Sequence, residues 1–156
     1  MDNAEKQKNY EIAEQLLSEQ NFMAAVIAGA VATVLAAAAY AITVSALPIA
    51  QGFAVAGIGI VIGLAMGFLG RGIAKKFSVV ATLYTIFGFF LGNVFRVGVT
   101  DQSLPVIIER SISYFSLIDF LYLFVAVFAA VFLARRALSR SQRLAIGLFE
   151  RGSEKC

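Results

Sequence analysis

The sequence contains no histidine, a single cysteine and two prolines, and only 15% of its 156 residues are charged. Without histidine the chain lacks the commonest metal ligand and the side chain best suited to moving protons near neutral pH. The one cysteine, Cys156, excludes a disulfide within the chain and any cysteine-built metal site. There is also no nucleotide-binding glycine loop, no H-E-x-x-H, no G-x-S-x-G and no pair of catalytic carboxylates. No catalytic, cofactor-binding or metal-binding residues are therefore expected, and the chain reads as non-enzymatic. A nucleic-acid partner is not expected either.

Charge is scarcest in the middle of the chain. Between Phe22 and Phe95 the only charged residues are Arg71, Lys75 and Lys76, and 60% of the whole sequence is hydrophobic. About 20 apolar helical residues cross a bilayer core, and apolar runs of that order occur four times. They are residues 22–47, 49–69, 77–97 and 117–134, the third reaching Arg96 near its end and the fourth carrying Asp119 near its start. The expected fold class is all-α: an integral membrane four-helix bundle spanning residues 22–134, with the bilayer as its first partner. An acidic, amphipathic tail (1–21) precedes it, with Ile12, Leu16 and Met23 on one side, and a basic tail (135–156) follows it. The first 21 residues are net acidic, unlike the basic start of a signal peptide, so they are expected to be retained.

Lysine and arginine mark the cytoplasmic side when counted over short loops. Lys6, Lys8, Arg71, Lys75, Lys76, Arg135, Arg136, Arg140, Arg143, Arg151 and Lys155 all fall on one side of a four-span topology. Only Arg96 and Arg110 fall on the other. Both termini are thus expected in the cytoplasm, and the 98–116 connection on the far side. Within that connection "SLPVIIERSI" suits a short helix, and "SLID" (116–119) suits a capping box that starts the fourth span. After the fourth span, Arg136, Arg140 and Arg143 share one side of a helical tail. They are candidates for binding the anionic membrane surface or an acidic partner.

What the middle has in abundance is glycine. Gly52–Gly72, "GFAVAGIGIVIGLAMGFLGRG", holds seven glycines and still reads as a helix. At 100° per residue, Gly52, Ala56, Gly59, Gly63, Gly67 and Gly70 fall within an arc of roughly 80°. A stripe without side chains lets a second backbone approach closely, which is how helices associate where water cannot drive them together. Other spans repeat the segregation. In the first, Ala25, Gly29, Ala32, Thr33, Ala36, Tyr40 and Thr43 face Val31, Val34, Leu35 and Ile42 across the helix. In the third, Ala81, Tyr84, Thr85, Gly88 and Gly92 oppose Leu83, Phe87, Phe90 and Val94. In the fourth, Asp119, Tyr122, Ala126, Ala130 and Ala137 oppose Phe120, Phe124, Phe128 and Phe132. Bulky faces toward lipid and small faces inward follow. Two uses of the glycine stripe remain open: packing within one chain, or a subunit-contact or pore-lining surface.

Arg96 and Asp119 are the ionisable residues at membrane depth, where a charge costs roughly 2.5–3.5 kcal/mol at the helix centre. Both belong near the outer ends of their spans, on small-residue faces, so they are expected to pair. An ion or proton site is the other reading, with Asn93, Tyr84 and Tyr122 as neighbours.

The stretch Gly52–Phe95 resembles a pattern in small bacterial membrane proteins of uncharacterised function: a glycine-rich second span, a basic G-R-G turn and a third span ending in "GN". The matching positions are Gly57, Gly59, Gly63, Gly67, Gly70, Gly72, Phe77, Gly88, Gly92 and Asn93. The resemblance implies a bacterial inner-membrane protein and brings no activity with it. The functional expectation is association, as a homo-oligomer or with a membrane or cytosolic protein. A channel subunit built on the stripe, or an ion-coupled carrier, are the alternatives.

Overall fold

The helices begin and end where local chemistry allows. The computed structural model describes residues 3–98, 106 and 116–135, with side chains from residue 7 onward. Helix α1 runs Asn3–Ser18, where Ala13 and Leu16 are buried. It closes with backbone bonds from Glu19 to Gln15 and from Gln20 to Leu17. A new helix then starts: the side chain of Asn21 accepts from the amide of Ala24 at 2.9 Å, capping α2 (Phe22–Ala46). The first span is therefore not an extension of the tail helix. Met23, in the first turn of α2, is 67% exposed.

Helix α2 stops because Pro48 follows. A residue before proline is pushed out of the helical region, and Leu47 sits at φ −137°, ψ 82°. Pro48–Ala50 form a single 3-10 turn that opens α3 (Gln51–Gly70). At the other end of α3 the chain reverses through Arg71, at φ 46°, ψ 35°. Glycine is the usual residue for this left-handed position, and Gly70 and Gly72 stand on either side of it. They are needed for space instead: a Cβ on Gly70 would lie 2.5 Å from Ala25 Cβ, and one on Gly72 would enter the Phe77 ring. Helix α4 follows at Lys75–Gly98. Helix α5, Leu117–Leu133, starts at the capping box of Ser116 and Asp119.

The described residues from 21 to 135 make one contact unit, to which α1 does not belong. Within this unit, α3 packs against α2 on one side and α5 on the other, α2 also lies against α4, and α4 meets α3 and α5. The close approaches show that α2 and α4 run parallel, as do α3 and α5. Gly29, Thr33 and Tyr40 meet Tyr84, Gly88 and Gly92 in order, while Gly52, Gly59 and Gly67 meet Tyr122, Ala126 and Leu133 in order. The unit thus has a Pro48 end and an Arg71 end. Its core is Val55, Ile58, Ile62 and Met66 of α3 against Ala32, Ala36 and Tyr40 of α2 and Phe77, Ala81 and Phe89 of α4.

Helices α2, α4 and the 3-10 turn with α3 are each long and apolar enough to cross a membrane, whereas α5 is a shorter apolar helix of 17 residues. Only a third of the most apolar window of α2 and of α3 is buried inside the protein. The remainder faces outward: Val31, Leu35 and Ile42 on α2, Leu83 and Phe87 on α4, and Phe120, Phe124, Phe128 and Phe132 on α5 are all exposed. Such surfaces are stable in hydrocarbon and not in water. The chain is a multi-pass helical membrane protein. Two buried threonine hydroxyls are satisfied along their own helices: Thr33 donates to Gly29 O at 2.7 Å and Thr85 to Ala81 O at 2.8 Å. Thr43 alone of the expected inner face of α2 is exposed.

Candidate functional site

The polar residues of the 21–135 unit collect at its two ends. At the Pro48 end the first turns of α3 and α5 lie side by side, and the last turns of α2 and α4 reach the same end. Asp119 is 5% exposed, yet both carboxylate oxygens are held. Oδ1 accepts from Gln51 Nε2 at 2.6 Å, and Oδ2 accepts from the Ser116 amide at 2.9 Å. The second bond is half of the capping box, so it locates Asp119 through local sequence. The first depends on Gln51, 68 residues away, being placed by the Pro48 turn on the opening turn of α3.

On α4, Asn93 Nδ2 donates to Phe89 O at 2.9 Å, which turns its oxygen toward α2, where the Tyr40 hydroxyl donates to it at 3.4 Å. Arg96, less than a turn further along and half-buried, lies close to the Tyr40 hydroxyl. Tyr40, Gln51, Asn93, Arg96, Ser116 and Asp119 therefore form one polar layer across the end of the bundle. Two tyrosines wedge it in place. A Cβ on Gly92 would stand 2.6 Å from the Tyr40 ring, and one on Gly52 would stand 2.7 Å from the Tyr122 ring. Tyr40 also meets Phe89 edge-on at 6.1 Å.

The structure brings the two sequence candidates Arg96 and Asp119 to the same end and adds Tyr40 and Gln51. Nothing in the sequence marks Gln51 except its place just after a proline turn. Tyr84 lies elsewhere, donating to Val26 O at 3.1 Å towards the Arg71 end.

From Gly52 to Gly67 the partner of the glycine stripe is α5 of the same chain. A Cβ on Gly59 would strike the carbonyl of Ala126, and one on Gly67 the carbonyl of Leu133. At Gly63 the nearest atoms would be Leu133 Cβ at 2.9 Å and Ala130 Cα at 3.0 Å. A Cβ on Gly88 would stand 3.2 Å from Ile58 and from Thr33, so α4 uses its glycines toward α3 and α2. Ala56 is half-buried on the same side of α3, and Gly57, outside the stripe, has open space around it.

At the Arg71 end, Ser78 is buried on the first turn of α4. Its hydroxyl accepts from Arg135 Nε at 2.6 Å and donates to Val131 O at 3.4 Å, tying α5 to α4. The Asn21 amide donates to Gly70 O at 3.1 Å, tying α2 to α3. Lys76 Nζ stands 4.8 Å from the centre of the Phe22 ring, which itself meets Phe77 edge-on at 5.5 Å.

Among the described residues no group of three or more histidine, cysteine or acidic side chains could hold a metal ion. An apolar groove of about 800 Å³ lies between α2 and α4, lined by Ala38, Ala41, Ile42, Ser45, Val94 and Phe95. Arg136, Arg140 and Arg143 lie outside the described residues, as do Arg110, Cys156 and most of the 98–116 connection. No protein-family model, curated protein or solved structure matches the chain.

Proposed function

We propose that the chain is a four-span, non-enzymatic protein of a bacterial inner membrane, with both termini in the cytoplasm, acting by association with a second copy or another protein. The observation that carries this reading is the internal commitment of its polar groups. Asp119, the acidic residue in the apolar helices, gives both oxygens to Gln51 and Ser116, and Asn93 is engaged on both sides. A carrier needs a carboxylate that can take and release its ion, and a fully bonded cap serves poorly for that.

The fourth span rests on α5. Seventeen residues extend about 25 Å, at the lower limit for crossing a bilayer. The helix runs beside α3 from Gly52 to Gly67, over most of the length of a helix that does qualify. The closed glycine stripe counts against a pore built on that face, because α5 of the same chain fills it. Self-association would then use the outward phenylalanines or the α2–α4 groove.

Purification in a mild detergent, with mass from light scattering corrected for bound detergent, tests the reading. A mass above the monomer, or co-purification of one stoichiometric partner, is expected, with no ion flux in proteoliposomes. Flux abolished by Asp119→Asn would overturn it in favour of a carrier.

A further inference from the structure

The function proposed above makes no use of the basic residues at the Arg71 end. Three cations there, Lys75, Lys76 and Arg135, have no carboxylate partner among the described residues. Two are nevertheless held in place by neutral contacts. Arg135 is exposed but its Nε is fixed on Ser78 at 2.6 Å, which leaves the four N–H bonds of its terminal nitrogens for another acceptor. Lys76 is exposed with its ammonium stationed over the Phe22 and Phe77 rings, 4.8 Å and 5.8 Å from their centres. Lys75 opens α4 three residues before Ser78, so it shares the helix face that Arg135 reaches.

The surface beside these cations is apolar on the membrane side. Phe68 is 78% exposed, Phe132 75% and Val79 58%. Cations at one end of membrane-crossing helices, two of them held by neutral contacts and bordered by exposed apolar side chains, match one kind of molecule. That molecule carries a phosphate anion at the interface and acyl chains below it. An arginine whose Nε is occupied still presents paired N–H groups to phosphate oxygens, and lysines contribute as point charges.

We propose that Lys75 and Arg135 form a binding site for the headgroup of an anionic phospholipid, at the junction of α4 and α5. The Ser78 hydroxyl acts as a positioning group: it sets the guanidinium and does not touch the lipid. Binding here differs from adsorption of the basic tail to a charged surface, because it retains individual lipid molecules through purification.

The test uses the full chain, purified and exchanged into a non-ionic detergent, with phosphatidylglycerol or phosphatidylcholine titrated in and bound lipid read by native mass spectrometry. Phosphatidylglycerol should be retained over phosphatidylcholine. Each of Lys75→Gln and Arg135→Gln should weaken it about five-fold, the effect expected of one basic residue near an anionic headgroup. Ser78→Ala should weaken it without changing the charge. Arg136→Gln, Arg140→Gln and Arg143→Gln together should leave retention intact while reducing adsorption to phosphatidylglycerol vesicles. Lys75 makes no hydrogen bond or ion pair among the described residues, so Lys75→Gln remains informative if Arg135→Gln fails to fold. Equal retention of the two lipids, unchanged retention in Lys75→Gln, or displacement of the lipid by millimolar inorganic phosphate would each overturn the proposal.

Discussion

Gln51 donates to Asp119 across 2.6 Å, joining the opening turns of two parallel helices that are 68 residues apart in the chain. The same carboxylate caps its own helix through Ser116. Asp119→Ala removes both bonds and strands two donors, so a loss of about 2–3 kcal/mol is expected. Asp119→Asn keeps an oxygen for one of them and should cost about 1 kcal/mol. Thermal unfolding in detergent measures both, and a double-mutant cycle with Gln51→Ala should show coupling. Exchanging Arg96 and Asp119 should not restore stability, because an arginine at 119 cannot accept from Gln51 or Ser116. Full recovery in the exchanged variant would show that an Arg96–Asp119 ion pair outweighs the bonds to Gln51 and Ser116.

Gly59 and Gly57 sit two residues apart and should respond in opposite ways. Gly59→Ala drives a methyl group into the Ala126 carbonyl, which is backbone and cannot rotate aside. A loss of about 2–3 kcal/mol is expected, as for an overpacked core. Gly57→Ala meets nothing within 4 Å and should be neutral or stabilising by about 0.5–1 kcal/mol. By the same logic Gly63→Leu should disrupt the fold on sizing, while Phe128→Leu, on the exposed face of α5, should not. Similar profiles for the last two would mean the helix faces are misassigned.

Arg71 holds a left-handed conformation that costs an L side chain about 1–2 kcal/mol. Replacement by alanine and by glycine removes the same charge, but only glycine relieves the backbone. The glycine variant should be the more stable of the two by about 1 kcal/mol. A tie would mean the turn relaxes to another conformation once the arginine is gone.

The distribution of basic residues leads us to expect both termini in the cytoplasm. Reporter fusions at Met1 and Cys156 should give cytoplasmic signals, with a cysteine introduced at Gln102 labelled only from outside. External labelling at either terminus contradicts the four-span topology. Neutralising Arg71, Lys75 and Lys76 together should weaken the orientation preference.

The sequence by itself determined the helices that form and the sides they turn outward. A bilayer forces the backbone into helices and selects apolar length, so runs of uncharged residues locate α2, α3 and α4. Helical periodicity then separates Leu83 and Phe87 from Gly88 and Gly92 without reference to any other segment. Local rules also reached the capping box at Ser116 and Asp119, since its partners are three residues apart. Only the tertiary structure decided what each face meets. Periodicity orients a face relative to its own helix axis, while the partner of that face depends on how four helices rotate and slide to fill space. That is why the stripe of Gly59, Gly63 and Gly67 could not be assigned to α5 from sequence. It is also why Gln51 and Tyr40 joined the polar layer unannounced, and why the left-handed turn fell on Arg71. The neighbouring glycines were already committed to making room for Ala25 and Phe77.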